Sequence, residues 1–236
     1  MALPKLSVPI YELTLPSNSK VIKYRPFLVK EEKLLLMAQS GKDTAEIVNS
    51  IKQVINNCIV TENVDIDNFA SFDLEYFFLK LRGKSIGTVI ELTYRDLEDN
   101  KKYKVQVDLD EVEIKTTEGH TNKVEINSTT GMILRYPTVD TSLLSMDDAE
   151  QSEAVFNVIA NCVESIYDEN GVYKTSDYSF DEVLEFVSDL DLKTFEKIQE
   201  FLTTMPKLYY EVKYTNSLGK EKVIPLTSLN DFFTLG

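Results

Sequence analysis

Two cysteines, Cys58 and Cys162, close the near-identical phrases QVINNC (53–58) and NVIANC (157–162). Thiols placed this way invite two readings: a metal or redox pair brought together by folding, or one module copied and then allowed to drift. A zinc site needs three or four ligands. The chain holds one histidine, His120 in the loop-like TEGHTN, and no CxxC spacing. Both cysteines also continue apolar helical stripes, Ile47, Ile51, Val54 and Ile55 before Cys58, and Val155, Val158 and Ile159 before Cys162, with Val163 and Ile166 carrying the second stripe on. Cysteine on such a face is expected to be small apolar filler. His120 is expected on a surface loop.

Carboxylates are the other source of chemistry. NVDIDNF suggests a calcium loop, but counting from Asp65 the fifth position is Phe69, where an oxygen ligand is required. In VDLDEVE the alternation puts Asp108 and Asp110 on one strand face, which reads as the wet side of a sheet, with a glycosidase-like acid pair as the catalytic alternative. The 8 glycines form neither GxGxxG nor GxxxxGK[ST], so no phosphate cradle is expected. Nucleophilic catalysis needs a base beside the nucleophile, and with both thiols buried and a single histidine no triad assembles. No catalytic, cofactor-binding or metal-binding residue is assigned, and the chain is read as a non-enzyme that needs no cofactor.

Composition narrows the partners. The 236 residues are 43% hydrophobic and carry 25 basic against 39 acidic side chains, a net charge of −14. That charge repels phosphates and argues against nucleic acid. It suits an acidic, solvated surface, a basic protein partner, or an acidic mimic of nucleic acid. No apolar run approaches the roughly 18 residues of a membrane span, and the opening MALPKLSVPIYELTLP lacks both a basic region and a long apolar one, so the chain is expected to remain in the cytoplasm where it is made.

These residues need elements to hold them. YELTLPSNSKVIKY alternates apolar and polar positions around a turn, the signature of a hairpin. A helix follows with Leu34, Leu35 and Ala38 on one face and Gly41 as its stop. Asp43 and Glu46 open the first cysteine helix in a capping box, and SFDLEYFFLKLRG forms the next helix, ending at Gly83. TVIELTYRDLEDNKKYKVQVDLDEVEI is a hairpin, and KVEINSTTGMILRYP a shorter pair of strands. In the second half the cysteine helix is expected to run through Ile166; Ser179 and Glu182 cap another helix, LKTFEKIQEFLTTMP makes a third, and KLYYEVKY with KEKVIPLT makes a terminal hairpin around TNSLG.

The two halves repeat: cysteine helix, further helix, hairpin. The second half carries the insertion DENGVYKTSDYSFDEVLEFVS, which supplies an extra helix. The expected fold is α+β by internal duplication, with an N-terminal hairpin and helix at 1–43, a first helix-helix-hairpin module at 44–140 and a second, with the inserted helix, at 141–236. Most of the aromatic residues belong in a core. Exceptions are expected at a strand edge, Tyr24, Arg25, Pro26 and Phe27, and at the terminal SLNDFF, Asn230, Asp231, Phe232 and Phe233, residue types that suit a partner interface.

The phrases LPSNSKVIKYRPFLVKEEKLLLMA, GMILRYPT, NCVESIYDENGVY and FEKIQEFLTTMPKL…SLNDFF, in this order, resemble the baseplate hub subunits and hub-assembly proteins of T-even-type contractile-tailed bacteriophages. The resemblance covers nearly the whole chain. It implies a non-enzymatic part in building the central hub of the tail baseplate, with other hub proteins as partners, either as a component of the virion or as a transient assembly chaperone in the host cytoplasm. Some relatives carry a CxxC pair at a hairpin tip; here the tips read YRDLEDNKK and YTNSLGKEK, so metal binding does not carry over. Asn100 and Gly219 are expected to make these turns instead. The rival from another class is a carboxylate hydrolase.

Overall fold

A computed structural model describes residues 7–41, 43–143 and 151–232. Its elements run β1 (Tyr11–Thr14), β2 (Val21–Tyr24), α1 (Val29–Gly41), α2 (Thr44–Cys58), α3 (Ser71–Ser85), β3 (Val89–Arg95), β4 (Lys102–Asp108) and β5 (Glu113–Lys115). They continue with β6 (Lys123–Glu125), β7 (Gly131–Leu134), α4 (Val139–Leu143), α5 (Gln151–Cys162), β8 (Val163–Tyr167), β9 (Val172–Lys174), α6 (Phe180–Ser188), α7 (Leu192–Thr204), β10 (Lys207–Thr215) and β11 (Glu221–Leu226). The class is α+β, with several small antiparallel sheets. Among the described residues no helix is long and apolar enough to cross a membrane.

Local chemistry sets the boundaries. Asp43 caps α2 by accepting from the Ala45 amide, and the amphipathic face of α2 buries Ile51, Val54, Ile55 and Cys58. Ser179 and Glu182 form the full reciprocal capping box at α6. Asp191 caps α7, which stops ahead of Pro206. Asn100 and Gly219 take positive φ at the β3–β4 and β10–β11 turns. α3 runs two residues past Gly83, to Ser85.

The second cysteine helix is shorter than its apolar stripe suggests. It ends at Cys162, and Val163 and Ile166 lie on strand β8, paired with β7 on one side and β9 on the other. The reason is local. Asp168 accepts from the Asn170 and Gly171 amides, closing a tight turn that folds β9 back onto β8. The β-branched residues of VESIY suit a strand.

The described residues gather into two compact units. One takes the chain up to Ile66, Phe72–Lys115 and the part from Lys207 on; the other takes Asp67–Ser71 and Thr116–Pro206. This grouping cuts across the linear segments 1–43, 44–140 and 141–236, because β10 pairs with β11 and also with β5, drawing the final hairpin into the first unit. Leu79, Val107, Leu109, Leu208, Leu226 and Phe232 meet in that unit's core. The second unit has its own core, where Met132, Leu134, Ile159, Val163, Ile198 and Phe201 pack under the four-stranded sheet β6-β7-β8-β9.

Candidate functional site

Strand β2 delivers Tyr24 to the interior, 2% exposed and 5.1 Å ring to ring from Phe77. The next residue, Arg25, ties three elements together. Its amide donates to the Cys58 carbonyl (2.9 Å), one guanidinium nitrogen donates to the Asn57 carbonyl (2.9 Å), and the same nitrogen pairs with Glu31 (3.0 Å). Glu31, 0% exposed in the first turn of α1, also accepts from the Leu28 amide (2.9 Å). Burial by itself raises the Glu31 pKa, but the Arg25 guanidinium and the Leu28 amide outweigh it and hold the carboxyl below its usual range. Pro26 is half-buried, and Phe27 is buried with its amide donating to Ser85 Oγ. The stretch expected at an exposed edge is thus turned mostly inward. Beside it α1 exposes three large apolar side chains, Val29 at 80%, Leu36 at 58% and Met37 at 63%, among the exposed charges of Lys30, Glu32 and Lys33.

The same arrangement recurs in the second unit. Arg135 follows β7 as Arg25 follows β2; its amide donates to the Cys162 carbonyl (2.7 Å) and Nε to the Asn161 carbonyl (2.8 Å). A cation on the last carbonyls of a helix favours its C-terminus, and in both units it fixes where the cysteine helix stops. Both thiols are free and buried. Burial pushes Cys58 up to about 11 and Cys162 up to about 12, so they are protonated and inert at neutral pH.

Of the terminal candidates, Phe232 is buried in the first unit's core, and Asp231 accepts from the Thr227 and Ser228 amides, shaping the turn that brings Phe232 in. Asn230 is exposed. Phe233 lies outside the described residues.

Sequence reading missed the polar clasp between the β3–β4 and β10–β11 tips. Asp96 accepts from the Tyr214 hydroxyl (2.8 Å) and the Asn216 amide group (3.3 Å). Asp99 accepts from the Tyr103 hydroxyl and from the Ser217 amide (3.0 Å) and hydroxyl (2.8 Å), while Glu98 pairs with Lys220 and Lys222. Partial desolvation acts to raise the Asp99 pKa, but this set of donors wins and holds it well below the carboxylate range. The partners lie more than a hundred residues apart in sequence, so no local pattern announces them.

The acid pair of the hydrolase reading is engaged otherwise. Asp108 accepts from the Asp110 amide, and Asp110 pairs with Lys84 at 2.9 Å. Lys80, buried on α3, spends its ammonium on the Leu109, Asp110 and Val112 carbonyls. A different carboxyl stands out. Glu75, half-buried on α3, is pushed up to about 7, first by burial and further by the charge of Asp231, against the Leu229 amide, which lowers it. Among the described residues no group of three or more His, Cys, Asp or Glu is placed to hold a metal.

His120 is more enclosed than a surface loop residue. Its ring stacks on Tyr136 and Phe201, with Nδ1 2.9 Å from Thr204 Oγ1 and Nε2 3.1 Å from the Tyr136 hydroxyl, and burial lowers its pKa. It borders a groove of about 530 Å³ whose other walls include Lys123, Glu125, Lys197 and Glu200. A second cleft, about 420 Å³, lies between the β8–β9 hairpin and α6 and is lined mainly by Ile166, Tyr173, Tyr178, Val183 and Phe186. The Asn170-Gly171 dipeptide was the available signal for that hairpin.

Across the chain, residues 8–234 match the model of a family described as T4 bacteriophage base plate protein. No curated protein and no solved structure matches.

Proposed function

Because the chain belongs to the T4 bacteriophage base plate protein family, we propose that it works in the central hub of the tail baseplate, by binding other hub proteins and without catalysing a reaction. The observation that carries this reading is the extent of the family match, which takes in both compact units. The side chains agree with it. Both thiols are inert, and Asp108 and Asp110 are occupied by an amide and a lysine. The exposed apolar row Val29, Leu36 and Met37 on α1 is the kind of surface that protein contacts cover.

Assembly takes place in the host cytoplasm, and the chain stays with the finished tail. The recurrence of the Arg25–Cys58 arrangement at Arg135–Cys162 supports descent of the two halves from one duplicated module. Quantitative mass spectrometry of purified virions against infected-cell lysate tests the functional reading. The chain is expected in virions at fixed stoichiometry with tail proteins. Absence from virions, with capture of hub proteins from lysate, would make it an assembly chaperone; absence from both would overturn the hub assignment.

A further inference from the structure

The 420 Å³ cleft of the second unit combines apolar and aromatic walls with two carboxylates. Tyr173, Tyr178 and Phe186 present aromatic surface, with Asp168 and Glu182 at the margin. Tyr178 is 46% exposed, and Phe180, two residues on, and Val172, next to Tyr173, are also open to solvent. Residues 164–191 hold nine carboxylates and one basic side chain, Lys174, so this stretch carries −8 of the chain's −14. Glu169, Asp177, Asp181 and Glu185 are all exposed.

The two marginal carboxylates are held in place. Asp168 is fixed by the Asn170 and Gly171 amides and the Tyr173 hydroxyl, and Glu182 by the Ser179 amide and hydroxyl. Asp168 also accepts from the Asn170 side-chain amide, so it offers a partner fixed charge, whereas both bonds to Glu182 fall on Oε2 and leave acceptor sites on that carboxylate. A side chain already fixed loses less entropy when a partner arrives. The volume suits one large side chain with its immediate neighbours. Tyrosine faces attract guanidinium and ammonium groups, whereas the surrounding charge repels an acidic segment.

We propose that this cleft docks a basic segment of another protein, seating one large apolar side chain between Tyr173, Tyr178 and Phe186 with flanking arginines or lysines set against Asp168, Asp181 and Glu182. The proposal rests on the reading that the chain works by binding other baseplate proteins, and specifies the chemistry of one such partner.

The test uses the full chain and a fluorescein-labelled peptide with one phenylalanine between two pairs of arginines, read by fluorescence anisotropy. Binding is expected, weakening several-fold as salt rises from about 0.05 to about 0.3 M. Replacing the phenylalanine by alanine, or Tyr178→Ser in the protein, is expected to weaken it about tenfold, the scale of losing an aromatic anchor. The pair Asp181→Asn and Glu182→Gln should weaken the salt dependence, while Leu97→Ser, on the exposed β3–β4 tip, should bind as the parent does. Amide shifts on titration should map to residues 164–186.

Equal binding of a peptide flanked by glutamates, an unchanged affinity in a folded Tyr178→Ser variant, shifts mapping elsewhere, or no binding would each overturn the proposal. So would self-association of the chain abolished by Tyr178→Ser, which would assign the cleft to a second copy. Failure of the peptide with the chain present in virions removes the docking site and leaves the baseplate role; peptide binding with the chain absent from virions and hub complexes does the reverse.

Discussion

Glu31→Gln is the sharpest probe of how the first unit is held together. The substitution keeps size and the ability to accept from the Leu28 amide, but leaves Arg25, whose side chain is 17% exposed, without its counter-charge. Removing one partner of a buried pair destabilises by roughly 3–5 kcal/mol. Arg25 keeps the Asn57 and Pro26 carbonyls, so the lower end applies, about 3 kcal/mol. With an m-value of about 2 kcal/mol/M the urea midpoint should fall by about 1.5 M. Circular dichroism at 222 nm and tyrosine fluorescence would follow it.

A double-mutant cycle sharpens the test: Arg25→Met with Glu31→Gln should recover most of the loss, since it removes the stranded charge while the new glutamine still accepts from the Leu28 amide. The pH dependence has a fixed sign. The folded Glu31 pKa is depressed, so its stabilisation is present above the unfolded value near 4.3 and is lost as pH falls through the folded value. The variant should lack that part of the acid-unfolding slope. A midpoint shift worth less than about 1 kcal/mol, or a double variant as unstable as the sum of the singles, would refute the picture of a pair that locks β2, α1 and α2 together.

Glu75→Gln should act in the opposite sense. The folded Glu75 pKa is raised to about 7, so ionisation lowers stability as pH climbs from the unfolded value through 7; the variant should melt higher than the parent at pH 8 and no higher at pH 5 by calorimetry. Asp99→Asn should loosen the tip clasp, seen as faster hydrogen exchange at the Ser217 and Lys101 amides, which donate to that carboxylate. In the parent, protection at these amides should survive acidification to below the ordinary aspartate pKa, because the folded value is depressed. Iodoacetamide at pH 8 should leave Cys58 and Cys162 unmodified in the folded chain and alkylate both in urea, counted by intact mass; rapid modification of either in the native state would contradict their buried, protonated state.

What could be read from the sequence was whatever depends on near neighbours. The hairpins at 11–24, 89–108, 123–134 and 207–226 follow from alternation and turn residues, the caps at Asp43 and Ser179 from side chains within three positions, and the buried cysteines from the period of α2 and α5. The errors arose where distant groups decided. Val163 and Ile166 fit a helical stripe, but pairing with β7 and β9 made them strand. Tyr24 and Phe27 suited an interface by type, yet a core stood ready to take them. His120 does lie in a loop, but Phe201 and Thr204, far along the chain, partly cover it. The Asp96 and Asp99 clasp had no local signature at all, and the cleft at Tyr178 required knowing that DENGVYK turns back on itself.

The pairing of β10 with β5 has a consequence for synthesis. Leu109 and Val112, beside β5, share a core with Leu208 and Leu226, and everything from Thr116 to Pro206 is translated between them. The unit that begins first therefore finishes last: until β10 and β11 leave the ribosome, its nascent core has an open flank, while the second unit, contiguous apart from Asp67–Ser71, has all its strands and helices in hand. A pause or premature stop ahead of Lys207 would release a chain with one finished unit and one open one, a substrate for chaperones and proteases rather than for assembly.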